Sequence, residues 1–338
     1  MNPALFRALE ESSQYENERK TCKYNTRSTS SYNEPVKTEP IEEQPKEQPK
    51  EIIKKPFTQK PIFQKKQPFK KKESKPTPTF LAEKNRHERD QHITFDEGPH
   101  IYTVLGEYGT YTSVTTLVHK QFQDFDADLI IDKMLKSPKM TDPTYKYFGM
   151  TKQDIKRTWN EKRDNSASAG TDMHYDIECF YNEQEVVNES IEYQYFKEFV
   201  RDFPELKAYR TEWMVYYEEL KLSGSIDMIF ENPDGTLQIY DWKRCQEIVH
   251  ETNFDQFAKP TFLRHLPDTN FWHYALQLNI YKKILEDKYG KKITNLYLIC
   301  LHPDNHNKSY QRIEVPVLEK EIQELFGERK RVLELNKK

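Results

Sequence analysis

The sequence predicts an α/β fold, a mixed sheet flanked by helices, behind an amino-terminal tail without fixed structure. Three observations predict it. Composition changes near residue 90, strand-like and helix-like patterns alternate through the remaining 248 residues, and a tight hairpin stands at residues 222–244. Residues 1–90 hold 10 of the 19 prolines and no glycine, and repeats such as EEQPKEQPKE bury too little apolar area to offset chain entropy. With 20 Lys+Arg against 14 Asp+Glu the tail carries +6, which leaves −9 for residues 91–338, a length that suits one domain.

Along that domain the patterns predict strands at 93–95, 100–104 and 111–114, then helices at 127–136, 151–164, 170–182 and 190–202. Strands follow at 207–217, 221–231 and 236–243, a helix at 271–288, strands at 293–301 and 309–315, and a last helix from 318. Strands and helices in this order give a mixed sheet with helices packed on it.

The hairpin LSGSIDMIFENPDGTLQIYDWKR turns at Asn232–Gly235, where proline presets φ and glycine is free to take φ > 0. If the turn centres near Asp234, partners sum to about 468 across the ladder. Asp227 then lies opposite Asp241, and alternation adds Lys243 to the same face, with Tyr240 and Trp242 on the other. Two carboxylates facing each other across adjacent strands repel, so a cation belongs between them. A hard divalent metal such as Mg²⁺ fits. The Asp/Glu-x-Lys spacing alone carries nothing, since Asp154, Glu205, Glu219, Glu286 and Glu328 begin the same pattern. Only DWK ends an apolar strand paired with a second strand that carries its own Asp.

In their order along the chain these residues resemble the PD-(D/E)XK nucleases, and within them the RecB-like branch that includes the mitochondrial genome maintenance exonuclease. GTDMHYDIE (Gly170–Glu178) is similar to the helix motif with its metal-binding His, GSID (Gly224–Asp227) to G-x-x-D, YDWK to D-x-K, and QLNIY (Gln277–Tyr281) to Q-x-x-x-Y. HIYTVLGEYGTYTSVTTLV resembles the opening of such domains, and LHPDN is similar to a segment of homologues from large DNA viruses. The resemblance spans roughly residues 92–315. It implies a restriction-endonuclease-like sheet and a metal-dependent DNA nuclease, an exonuclease on ends or single strands before an endonuclease, in replication, recombination or repair. A structure-selective endonuclease or resolvase, and a binding module without catalysis, are the alternatives. DNA is the implied partner, and virus-encoded action in host cytoplasm or nucleus is the implied setting.

Residues His174 and Glu178 share a helix face, although such a pair is more often a solvated one. Gly170 before them would let another backbone or a ligand approach. The expected site holds Mg²⁺ or Mn²⁺ on Asp227, Asp241, His174 and the Trp242 backbone carbonyl, with Glu178 as a further candidate; a histidine slightly favours Mn²⁺. Lys243 would orient the attacking water and balance charge. Gln277, Tyr281, Ser113 and Thr115 are the expected DNA contacts. Tyr281 also continues the apolar stripe of Tyr274, Leu278 and Leu285, and Ser113 and Thr115 equally suit an N-cap. The HPDNH loop at His302–His306 is explained by a turn.

Four cysteines, Cys22, Cys179, Cys245 and Cys300, stand far apart in sequence without a C-x-x-C pair, so neither the iron-sulfur cluster of some relatives nor a disulfide framework is expected. A soluble protein of a reducing, intracellular compartment follows, with no signal, transit or membrane segment. In the tail, KEIIKKPFTQKPIFQKKQPFKKKESK interleaves lysines with Phe57, Phe63 and Phe69, a composition suited to phosphates and bases or to replication and recombination proteins, and equally to a merely solvated linker.

Overall fold

A computed structural model describes residues 76–252 and 256–336. The basic and phenylalanine-bearing run of the tail lies outside the described residues. Among them no helix is long and apolar enough to cross a membrane.

Strands β1 (Ile93–Asp96), β2 (Ile101–Val104) and β3 (Glu107–Tyr108) form a small antiparallel sheet. The main sheet contains β4 (Thr112–Ser113), β5 (Lys207–Tyr217), β6 (Leu222–Glu231), β7 (Leu237–Lys243), β8 (Ile293–Cys300) and β9 (Gln311–Glu314). The α-helices among the described residues are α1 (Phe80–Lys84), α2 (Val114–His119), α3 (Ala127–Leu135), α4 (Lys152–Tyr181), α5 (Ile191–Asp202), α6 (Asn270–Tyr289) and α7 (Glu319–Leu335). The fold is a mixed sheet flanked by helices, as expected.

The β5–β6 and β6–β7 ladders are antiparallel and β7–β8 is parallel. One face of the sheet packs Ile226, Ile229, Ile239 and Leu298 with Ala275, Leu278 and Ile284 of α6. The other packs Met228, Phe230, Tyr240 and Trp242 with Met173 and Ile177 of α4 and Phe196 and Phe199 of α5. The alternation expected for Tyr240 and Trp242 is therefore observed.

A fork in the sheet matters most. Strand β5 lines the whole of one edge of β6, but the other edge is shared: β4 pairs with Leu222 and Ser223, and β7 pairs with Met228 to Glu231. Residues Gly224 to Asp227 have no ladder partner on that edge, because β7 leaves β6 after Tyr240 and follows β8 as far as Lys243↔Cys300.

Two expectations are corrected. The helices expected at 151–164 and 170–182 are one 30-residue helix, α4, opened by a Thr151–Asp154 capping box. A Cβ on Gly170 would meet nothing within 4 Å, so this glycine makes no close approach and merely weakens a helix that packing holds at both ends. Its first half packs Ile155 and Trp159 against Ile131 of α3 and Tyr147, and its second half packs on the sheet.

The expected boundary at residue 90 also falls inside a packed strap. Leu81 is buried and its N–H donates to Asn182 Oδ1, while Asn85 Nδ2 donates to the Tyr209 carbonyl. Arg89 forks onto Glu218 at 2.6 and 3.2 Å with its guanidinium over the Tyr216 ring. Asp90 accepts from His87 N, Arg210 Nη1 and Trp213 Nε1. These polar bonds, which a window of composition does not register, tie the strap to β5.

Replacing Asp90 by Ala should therefore cost about 3 kcal/mol, because it strands the buried Arg210 guanidinium and the Trp213 indole N–H. Urea unfolding of the two proteins measures it, and a change below about 0.5 kcal/mol, the ordinary surface value, would show that the strap carries no load.

Candidate active site

At the fork three adjacent strands each contribute one carboxylate. The β6–β7 pairs from Met228↔Tyr240 to Glu231↔Leu237 keep the expected sum, so Asp227 and Asp241 are the next pair at the point where the strands part. On the other edge Thr211↔Met228 and Trp213↔Ile226 bracket Glu212 and Asp227. Glu212, Asp227 and Asp241 thus form a row across β5, β6 and β7.

Local structure fixes each one. Trp242 N–H, released from the β6 ladder, donates to Asp227 Oδ2 at 3.0 Å. Glu212 takes a left-handed φ of 41°, a conformation costing roughly 1–3 kcal/mol for a residue with a Cβ, and Ser225 Oγ donates to its Oε2 at 2.9 Å. Lys243 Nζ stands 2.5 Å from Asp241 Oδ2 and 4.6 Å from the centre of the Tyr274 ring. Asp241 is 2 % exposed, and its Oδ2 receives no hydrogen bond of proper geometry despite that ion pair.

Helix α4 brings His174 to the row, its Nδ1 3.5 Å from Asp227 Oδ2 and 3.8 Å from Glu212 Oε1. One ligand atom from each of His174, Glu212 and Asp227 lies within 4.8 Å of the others. Asp241 is outside that trio, held by Lys243. Glu178, one turn on from His174, is half-buried on the same side as Glu212.

Electrostatics registers the crowding. Burial alone would lower the His174 imidazole, but Asp227 and then Glu212 outweigh it and raise its pKa to about 9. Glu178 is pushed up to about 8 by burial and by Glu212, against His174. Asp241 rises to about 7 through burial and the neighbouring Asp227, opposed by Lys243. Asp227 is raised by burial, opposed by the charges of His174 and Lys243. On Lys243 the charges of Asp241 and Asp227 overcome burial and hold the ammonium on. The row is short of positive charge even with an imidazolium and an ammonium beside it.

A divalent cation suits this donor set. It consists of one imidazole nitrogen and the carboxylates of Glu212 and Asp227, with the buried Asp241 carboxylate, ion-paired to Lys243, beside them. His174 would have to give up its proton to hold such an ion, since only the neutral imidazole ligates.

The other expected residues are placed as follows. Tyr281 is buried, and a Cβ on Gly224 would lie 2.6 Å from its hydroxyl, so the glycine lets α6 close over the unpaired stretch of β6. Gln277 is half-buried one turn earlier on α6. Ser113 caps α2 by accepting from Thr116 N, and Thr115 is exposed in the first turn. In the HPDNH loop Asn305 is buried and bonds the Cys300 and Ser309 carbonyls, which is a turn. Cys245 and Cys300, distant in sequence, bring their sulfurs within 3.7 Å in the core behind Lys243.

Sequence reasoning missed Glu212. The β5–β6 hairpin carried the signal, since the register logic that pairs Asp227 with Asp241 also sets residue 212 against 227.

No family model matches the chain, and no curated protein sequence matches it. Among solved structures, the crystal structure of SSO0001 is similar at 13 % identity, with a TM-score of 0.29 over 75 % of this chain and 84 % of that one. A putative exonuclease from Eubacterium rectale is similar at 12 % identity, with a TM-score of 0.30 over 65 % and 77 %. At such scores neither likeness bears weight, and the functional reading rests on the residues.

The raised carboxyl of Asp241 sets a pH dependence for the metal-free protein. A folded pKa of about 7 against an unfolded value near 3.8 means stability present below pH 4 and lost as pH rises to about 7. His174, raised from 6.5 to about 9, acts in the same direction at higher pH. Asp241→Asn should remove the lower part, on the order of 3 kcal/mol between pH 4 and 7. Melting in EDTA across that range tests it, and equal slopes for the two proteins would contradict the assignment.

Proposed function

We propose that this chain is a divalent-metal-dependent DNA nuclease, working as an exonuclease on ends or single strands. The observation that carries the reading is the row Glu212, Asp227 and Asp241 at the fork, with His174 and Lys243 against it. A structural salt bridge needs neither a third carboxylate nor a left-handed Glu212.

In this reading His174, Glu212 and Asp227 hold Mg²⁺ or Mn²⁺, joined by Asp241 and the Trp242 carbonyl oxygen, with Glu178 behind. The ion, when bound, supplies Lewis acidity for the phosphoryl group and eases deprotonation of water. Hydrolysis adds a water oxygen to phosphorus and breaks the bond to the 3′ oxygen, leaving a 5′ phosphate and a 3′ hydroxyl. Lys243, held by Asp241 and the Tyr274 face, orients the water and faces the charge that grows on the phosphorane. Asp227 is fixed by the Trp242 N–H and therefore keeps its position as charge develops. Gln277 on α6 and Thr115 on α2 contact the strand, Ser113 offers the start of its helix, and Tyr281 seats the backbone of Gly224.

End-labelled single-stranded, duplex and covalently closed circular DNA, with Mg²⁺, Mn²⁺ or EDTA, test the reading. Linear DNA should be shortened only with a metal and the circle left intact. Cutting of the circle would instead make the protein an endonuclease, and no cleavage of any substrate would refute a nuclease. Lys243→Ala should bind DNA yet cleave at least about 100-fold more slowly, the scale of one lost electrostatic donor. Glu212→Gln should lose activity as Asp227→Asn does, whereas full activity would confine Glu212 to structure.

A further inference from the structure

The small sheet has an inner end buried in an apolar cluster, on which Tyr102 also packs, and an outer end that reaches solvent. At the inner end Ile93 and Val104 are buried against Tyr111 and Tyr216. At the outer end Phe95 pairs with Tyr102 across the ladder, their ring centres 4.6 Å apart, and the His100 ring stands edge-on to Phe95 at 4.8 Å. Phe95 and Tyr102 are half-buried and His100 is exposed. His100 takes a left-handed φ of 61°, just after a turn in which Asp96 Oδ1 accepts from Gly98 N. Phe95 and His100 belong to none of the apolar clusters of the described residues.

The aromatic group begins at the carboxylates. Tyr102 packs with Met214, two residues along β5 from Glu212, and β2 lies against β6, the strand that carries Asp227. In keeping with that placement, burial and the charges of Glu212 and Asp227 raise its phenol far above the ordinary value. Burial and next Tyr102 do the same to Tyr281, whose hydroxyl closes on Gly224. Tyr102, Phe95 and His100 therefore form a wall from the acidic row to solvent. Residues 93–110 contain no Lys or Arg, while Asp96 and Glu97 stand exposed at the turn. Such a hairpin repels phosphates, and what it offers a nucleic acid is ring faces.

We propose that the β1–β2 hairpin is a base-stacking subsite in which Phe95 and His100, backed by Tyr102, hold one unpaired nucleobase of the strand whose phosphate lies at the carboxylate row. This rests on the nuclease reading and narrows it to substrates with an unstacked nucleotide at the scissile position, such as single strands and frayed ends. Aromatic stacking suits that task because every base has a π face, which gives affinity without sequence preference.

Single-stranded oligonucleotides carrying one abasic analogue at each position in turn test it on the full chain. Wild-type kcat/KM should fall about 5- to 100-fold when the missing base is the one that stacks, and little elsewhere. Phe95→Ala with His100→Ala should lose a similar factor on intact DNA and nothing more on the sensitive abasic substrate. The slope of log affinity against log salt should stay unchanged, since no phosphate contact is lost. A mere folding defect would instead lower cleavage of the intact and the sensitive abasic substrate alike. A flat abasic scan with normal cleavage overturns the subsite and leaves the nuclease standing, as do losses that multiply between variant and abasic substrate. If the wild-type protein cleaves nothing, the nuclease reading fails, and anisotropy with the same oligonucleotides in EDTA then decides the stacking.

Discussion

Repulsion among Glu212, Asp227 and Asp241 is the constraint on which the site depends. In an ordinary three-stranded ladder their Cβ atoms would stand roughly 4.5–5.5 Å apart, an arrangement that like charges disfavour. The fold opens the ladder there instead. Strand β7 gives up β6 after Tyr240 and stays with β8, and the freed Trp242 N–H becomes a donor to Asp227. The left-handed turn at Glu212 is a second departure from regular strand geometry in the same row. Strain and missing ladder bonds gather where charge is concentrated.

Around the fork each neighbour contributes to the same end. Helix α6 can lie close because Gly224 has no side chain, and from that position Tyr274 presents its ring to Lys243. The long α4 has one half packed against α3 and the other on the sheet, so His174 is delivered by a rigid rod. The strap through Arg89 and Asp90 braces β5 on both sides of Glu212, through Arg210 before it and through Trp213 and, just past the strand, Glu218 after it. Tertiary support of this kind keeps a crowded acidic row in place.

Most of this was legible in the sequence for an identifiable reason. NPDG fixes the β6–β7 register, and register fixes which face Asp227, Asp241 and Lys243 share. The element order was legible because strand and helix periods alternate cleanly. Glu212 was not seen, since no motif marks the position and nothing in the local pattern announces its left-handed φ, although the β5–β6 register runs unbroken from the turn through residue 212. The fork itself has no local signature, because parallel pairing with β8, more than fifty residues on, draws β7 away. The strap was hidden for a different reason: Asn85, Arg89 and Asp90 stabilise it through hydrogen bonds, while hydropathy patterns report only apolar burial. Gly170 was misleading because a helix held at both ends tolerates a glycine that an isolated one would not.

The central claim, that the row is an acidic cradle for a divalent cation with protonated His174 standing in its place, is tested most directly by calorimetric titration of the metal-free protein with Mn²⁺ at pH 7.5. Using buffers of different ionisation heat separates proton release from binding. The account predicts saturable binding accompanied by release of about one proton or more, chiefly from His174 with its pKa near 9, and loss of that binding in Asp227→Asn. Saturable binding without proton release, or binding that survives in Asp227→Asn, would contradict it.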